Sequence, residues 1–274
     1  MINALSIDLE YWWCNEFLTN HLPEKKDDLI YESVSPLINL LDKYNTRATF
    51  FVLGIVAGEH PDLIEYIYEK GHEIACHAYS HRTLYDLGKE DFENEILKSK
   101  GLLSKYGPIG FRAPSFSLDN RTKWALEILE KYGFQYDSSI FPIKTMLYGV
   151  PKASCHIYRP KYDDVAQHDP NGSIIEFPLT TVKLGNINIP ISGGFYLRTL
   201  PIWFLKNGIK RVNKDRPAII YIHPWETYSN TPRMNVSLFS KFVAYHGISS
   251  SLEKLESLLS DFKFKPIRDV LNEI

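Results

Sequence analysis

Only three cysteines, Cys14, Cys76 and Cys155, occur in 274 residues, and they are far apart. So small and odd a number does not build a disulfide framework, and a reducing compartment is the simpler setting. Net charge is close to zero, at −2, and no basic run stands out. Neither nucleic acid nor an anionic membrane is therefore favoured as a partner. Apolar runs are short; Ala218–Ile222, among the longest, is far below the ~20 residues that span a bilayer. No basic segment with a small-residue cleavage site precedes the first strand-like stretch, Asn3–Leu9, which predicts a soluble cytoplasmic protein. A G-x-S-x-G elbow is missing, so a serine esterase has no nucleophile signature. So are a P-loop and a dinucleotide glycine fingerprint. With no repeat, low-complexity tract or linker either, residues 1–274 are expected to form a single domain.

Strand character, by contrast, recurs at seven places. They are Asn3–Leu9, Ala48–Gly54, Glu73–His77, Ile109–Arg112, Gln135–Ser138, Ser173–Phe177 and Ala218–Ile222. Helical patterns fill most of the gaps. Ile30, Val34, Leu37, Ile38 and Leu41 repeat at helical spacing. Pro61 opens a helix that Gly71 closes. Asp91–Tyr106, Arg121–Tyr132, Leu200–Val212 and Ser250–Phe262 read as four more. Strands alternating with helices predict a parallel α/β sheet, and seven such units suit a barrel. Phe141–Asn171 is irregular and reads as an insertion over one face. The tail, 227–274, is read as an extension, with either the barrel or the second subunit of a homodimer to pack on.

Active sites of such barrels sit at the C-terminal ends of the strands. Those ends deliver Asp8 and Glu10, then His77 with His81 just after, then Arg112, Asp137 and His223. His77 and His81 are four apart, a spacing at which two imidazoles converge on one cation. Paired surface histidines are also common, so the pair needs a third ligand from elsewhere. Asp8 and Glu10 are two apart and face the same side of an extended strand. Two inward acids need a reason, because an unpaired buried charge is expensive; the bland reading puts both in water past the strand end. Two histidines and one carboxylate leave coordination positions open, as catalytic metals require. The second acid is then a base, His223 an acid for a leaving amine, Arg112 a partner for the base, and Asp137 a partner for His223. Arg112 and Asp137 have a second reading, as a structural ion pair with each other.

These residues resemble the five motifs of the NodB-like polysaccharide deacetylases, carbohydrate esterase family four. The segments are Ser6-Ile-Asp-Leu-Glu10, His77-Ala-Tyr-Ser-His81, Arg112-Ala-Pro-Ser115, Asp137-Ser-Ser and Tyr221-Ile-His223, in order. Ser192-Gly-Gly-Phe-Tyr-Leu-Arg198, His223-Pro-Trp-Glu226 and the tail are similar to a branch found with exopolysaccharide gene clusters. The resemblance implies a distorted (β/α)7 barrel, a divalent metal, usually zinc, and hydrolysis of an N-acetyl group on a sugar or glycan. It implies Asp8 as base, Glu10, His77 and His81 at the metal, and His223 as acid tuned by Asp137. Arg112 orients Asp8, and the backbone of the third motif holds the oxyanion. Pro114, Ser115, Tyr196, Arg198 and Trp225 are expected at the substrate; for Tyr196 and Trp225 core packing is the alternative. Two departures stand out. The family's adjacent aspartates are here separated by Leu9, with Glu10 second, and its usual tyrosine after Pro114 is Ser115.

Other functions remain to be weighed. A metal-free amidohydrolase of the same fold acting on a ureide fits if Glu10 is not a ligand. An inactive carbohydrate-binding barrel leaves the acid, base and orienting residues without a purpose. A glycosidase built on Asp8 and Glu10 leaves three histidines unexplained.

Overall fold

A computed structural model describes residues 1–185 and 187–274. Its central sheet is built from the seven expected strands: β1 (Asn3–Leu9), β2 (Thr49–Val52), β3 (Glu73–Cys76), β4 (Gly110–Phe111), β5 (Tyr136–Asp137), β6 (Ile175–Glu176) and β7 (Ile219–Ile222). All pair in parallel in the order β7-β1-β2-β3-β4-β5-β6. Among the described residues β6 and β7 do not pair, so the distorted barrel is open there. The Thr180 hydroxyl bridges part of the gap, accepting from the Ile219 N–H at 2.6 Å.

Period-two alternation decides what each strand gives to which side. Every residue of β1 is buried, as parallel strands covered on both faces require. Leu5, Ile7 and Leu9 join the larger core beneath the helices. Ala4 joins a smaller cluster inside the barrel with Phe51, Ala75, Tyr136 and Tyr221. Ser6, Asp8 and Glu10 continue the same inward row.

The outer layer comprises α1 (Ile30–Lys43), α2 (Gly54–Glu59), α3 (Pro61–Glu69), α4 (Leu84–Leu103), α5 (Trp124–Lys131), α6 (Gly194–Thr199) and α7 (Ile202–Val212). Helix α4 starts earlier than its apolar pattern suggests. Thr83 caps it by accepting from the Asp86 N–H, and Gly88, at φ 70°, breaks its first turn from the rest. The tail adds α8 (Leu238–Tyr245), α9 (Ile248–Asp261), β8 (Phe264–Lys265) and α10 (Ile267–Leu271). It packs on its own barrel: β8 pairs with β1 at Asn3 and Ala4, and Leu255 and Leu258 of α9 enter the main core.

Two hairpins depart from the sequence expectation. The insertion Phe141–Asn171 contains an antiparallel pair, Pro160–Lys161 with Asp164–His168. A second pair, Thr181–Leu184 with Ile187–Pro190, follows β6. Among the described residues no helix is long and apolar enough to cross a membrane.

Candidate active site

The C-terminal ends of β1, β3, β4 and β7 surround a cavity of about 270 Å³. Asp8, Glu10, His77, His81, Ser115, Tyr196, Arg198, His223 and Trp225 all line it. Pro114, expected at the substrate, is buried and is not among the lining residues.

Arg112 lies beneath the floor and is wholly buried. Its Nη1 donates to Asp8 Oδ1 at 2.5 Å and to Ser6 Oγ at 2.9 Å. Nε donates to the Ser138 carbonyl and Nη2 to Ser138 Oγ, both at 2.9 Å. The guanidinium sits over the Phe51 ring at 4.1 Å and near that of Tyr221 at 5.3 Å. A buried charge so fully paired holds its carboxylate in one orientation. Arg112 therefore pairs with Asp8 and not with Asp137.

Glu10 sits one step further along the same face. Its Oε2 lies 2.7 Å from His81 Nε2 and 3.7 Å from His77 Nε2, yet no N–H points at this buried oxygen. Oε1 accepts from Trp225 Nε1 at 3.1 Å. His77 donates from Nδ1 to the Arg112 carbonyl at 2.7 Å, which leaves the Nε2 lone pair facing Glu10. Such outer hydrogen bonds orient metal-binding imidazoles. The His77–His81 loop is strained and pinned. Ala78 and His81 have positive φ, 57° and 64°, a costly conformation for non-glycine residues. Glu95 holds the loop, its Oε2 accepting from the Tyr79 and Ser80 amides at 3.0 and 3.1 Å. Donor atoms of Glu10, His81 and Cys14 lie within 4.8 Å of one another, and His77 Nε2 faces the same undonated Glu10 oxygen from 3.7 Å, an arrangement that fits a divalent cation such as zinc.

The charges respond accordingly. Burial by itself would raise the Glu10 pKa, but the His81 and His223 charges outweigh it and hold the carboxyl well below its usual range. Burial opposes protonation of His81, and the Glu10 charge overcomes it, so that imidazole titrates above its ordinary value. For His223 burial again opposes, while Glu10, Glu226 and Asp8 push it up to about 10.

The partner of His223 corrects the sequence expectation. Its Nδ1–H donates to Glu226 Oε2 at 2.7 Å, and not to Asp137. Nε2 faces Asp8 Oδ2 at 3.8 Å and Glu10 Oε1 at 3.7 Å. Asp137 instead accepts from Ser139 Oγ at 2.5 Å and lies beside buried Glu176 on the adjoining strand. Burial and the Asp137 charge push Glu176 well above the usual carboxylate range. Their pairing belongs to the barrel wall.

Arg198 lines the cavity, where the sequence expected it, and also makes structural contacts. Its Nε donates to Glu226 Oε1 at 3.0 Å, and its Nη atoms donate to the His246 and Val243 carbonyls of the tail. The chain Arg198–Glu226–His223 spans α6, the turn after β7 and the end of α8. Gly193 and Gly194 make room for it. A Cβ on Gly194 would lie 1.6 Å from Glu226 Oε2, and one on Gly193, at φ 106°, 2.7 Å from the Tyr221 ring.

Trp225 stacks on His223, centroids 5.2 Å apart. Ser115 and Phe116 both have positive φ, 53° and 50°, and the Ser115 hydroxyl donates to Glu16. Sequence reasoning missed Glu16, Glu226 and Cys14. Cys14 brings its sulfur within 4.8 Å of ligand atoms of both Glu10 and His81.

Residues 27–136 match the family described as polysaccharide deacetylase. Residues 27–136 thus carry a polysaccharide deacetylase domain. Residues 138–272 match a domain of unknown function, DUF3473. The seam between the two falls inside one continuous sheet, where β5 pairs with both β4 and β6. The deacetylase domain is similar to peptidoglycan-N-acetylglucosamine deacetylase of Bacillus cereus, 34% identical over 100 residues, which are 35% of this chain and 36% of that protein. The match thus spans about a third of the relative's length. Over the full chain the fold is similar to a Mycobacterium smegmatis protein described as a polysaccharide deacetylase (TM-score 0.59, 18% identity, 100% of this chain and 89% of that one). It is also similar to an allantoinase (TM-score 0.60, 14% identity, 99% and 89%). Deacetylase and allantoinase share this fold, so the side chains must carry the functional argument.

Proposed function

We propose that this protein is a metal-dependent hydrolase that removes an N-acetyl group from an amino sugar in a polysaccharide or its precursor. The observation that carries the reading is Glu10 Oε2, buried without a donor beside the Nε2 atoms of His77 and His81. Glu10, His77 and His81 would hold the metal, zinc being the natural choice for such donors. When bound, the metal polarises the amide carbonyl and acidifies the attacking water.

The chain's own residues supply the proton transfers. Arg112 occupies Asp8 Oδ1 and leaves Oδ2 to accept a proton from the water that attacks the acetyl carbon. His223, oriented by its Nδ1–H bond to Glu226, gives its Nε2 proton to the amide nitrogen as the C–N bond breaks. Acetate and the free amine are the products. The left-handed turn at Ser115 offers backbone amide to the oxyanion. Phe17, Phe195, Tyr196 and Trp225 line the walls, and aromatic faces suit a sugar ring.

A second reading has one observation in its favour. Trp225 and His81 both lie against Glu10, so the carboxylate is held even without a cation, as a metal-free amidohydrolase acting on a ureide requires. Metal analysis of the purified protein, before and after zinc is supplied, separates the two. One divalent ion per chain, lost in His77→Ala, is the expected result; a chain that takes up none after loading removes the metal-dependent reading.

A further inference from the structure

Immediately after β1 the chain folds back on itself. Residues Trp12–Cys14 form a single 3₁₀ turn, with the Cys14 N–H donating to the Tyr11 carbonyl at 3.0 Å. The turn is fixed on both sides. Trp12 Nε1 donates to the Asp27 carbonyl at 3.0 Å, and Trp13 stacks on Tyr11 with centroids 4.2 Å apart. This brings Cys14 beneath Glu10, four residues earlier, and the sulfur, a Glu10 carboxylate oxygen and a His81 nitrogen lie within 4.8 Å of one another. Cys14 is free of any disulfide. The buried Glu10 Oε2 without a donor is an independent sign that this cluster faces a cation.

We propose that the Cys14 thiolate is a further ligand of the same metal, beside Glu10, His77 and His81. The proposal rests on the metal-dependent reading above. Thiolate is a favoured donor for zinc and cobalt, whereas magnesium and calcium prefer oxygen. Two anionic and two imidazole donors balance a divalent charge, so the resting site is neutral and selects borderline-soft ions. With four protein donors, a bound zinc would need a fifth coordination position to accept water or substrate. The other cysteines stand apart. Cys76 is wholly buried in β3, and Cys155 contacts Thr181 Oγ1 at 3.4 Å and Asn188 Nδ2 at 3.6 Å.

Cobalt(II) titration of the full chain tests this without any assay of turnover. Wild type and Cys155→Ser should both develop a near-ultraviolet thiolate-to-cobalt charge-transfer band together with the visible ligand-field bands. Cys14→Ser should keep the visible bands, lose the charge-transfer band, and bind zinc at least about tenfold more weakly. A measurement on wild type alone guards against misfolding of the variant. Zinc should slow alkylation of Cys14 by iodoacetamide while leaving Cys155 unaffected. Visible bands without charge transfer in wild type, or equal zinc affinity in Cys14→Ser, overturn the role of Cys14 and leave the metal site standing. No cobalt spectrum of any kind overturns both.

Discussion

Glu226 Oε2 accepts the Nδ1–H of His223 at 2.7 Å, and Arg198 holds its other oxygen at 3.0 Å. The residue that orients the proposed acid therefore lies three positions along the same turn, fixed from α6 and the tail. Glu226→Gln removes one of the charges that keep His223 protonated. Turnover should fall about 100-fold with metal content unchanged. Asp137→Asn keeps the acceptor for Ser139 and should change turnover by much less. Steady-state kinetics with metal analysis checks both; equal losses would return the tuning role to Asp137.

The close passage of α6 makes a packing prediction. Gly194→Ala places a methyl group 1.6 Å from the Glu226 carboxylate, so one of them must move. Overpacking of this kind costs about 1–3 kcal/mol, visible as a lower urea midpoint. Turnover should drop alongside, as in Glu226→Gln. A variant with wild-type stability and turnover would show that Glu226 is not confined.

Much of this arrangement is legible in the sequence because the barrel converts strand order into a ring of strand ends. Period two puts Ser6, Asp8 and Glu10 on one face, and the motif order brings His77, His81, Arg112 and His223 to them. The partner of His223 is harder to read. Asp137 ends a strand just as expected, but β6 places Glu176 beside it and withdraws it into the wall. Glu226 is recognisable only once Arg198 is known to be buried against it, and Arg198 is seated by the carbonyls of Val243 and His246. Those contacts follow from the packing of α8, which no local pattern encodes. The hairpin after β6 is missed for a simpler reason. Lys183 and Leu184 are both exposed, so the stretch lacks the inward and outward alternation that marks a half-buried strand.

Metal binding should release protons. Burial disfavours the charged form of His81, but the Glu10 charge raises its pKa overall, and a cation requires the neutral ring. Affinity should therefore fall as pH drops through the raised His81 value, and recover above it. Calorimetry of zinc binding at pH 7, in buffers of different ionisation enthalpy, should show net proton release. Binding without proton release, at an affinity that does not vary with pH, would place the metal away from both His81 and the Cys14 thiol.

His72 gives the fold its own pH dependence. Its ring is buried and accepts the Ala48 N–H at Nδ1, 3.1 Å away. Burial, reinforced by Arg47, pushes its pKa down to about 4, against about 6.5 in an unfolded chain. The unfolded chain therefore binds the extra proton. Stability is retained above pH ~6.5 and lost as pH falls towards 4, by up to about 3 kcal/mol. Urea unfolding at pH 7 and pH 5 should show a smaller loss in His72→Asn than in wild type. Identical losses would assign the acid sensitivity to other groups.

Acetate release from N-acetylglucosamine oligomers tests the central claim most directly. Zinc- or cobalt-loaded protein should release acetate, lose this activity with a chelator, and regain it when the metal is restored. Asp8→Asn should be inactive while still loaded. No acetate from the loaded protein, or release indifferent to both the chelator and Asp8→Asn, would contradict the account.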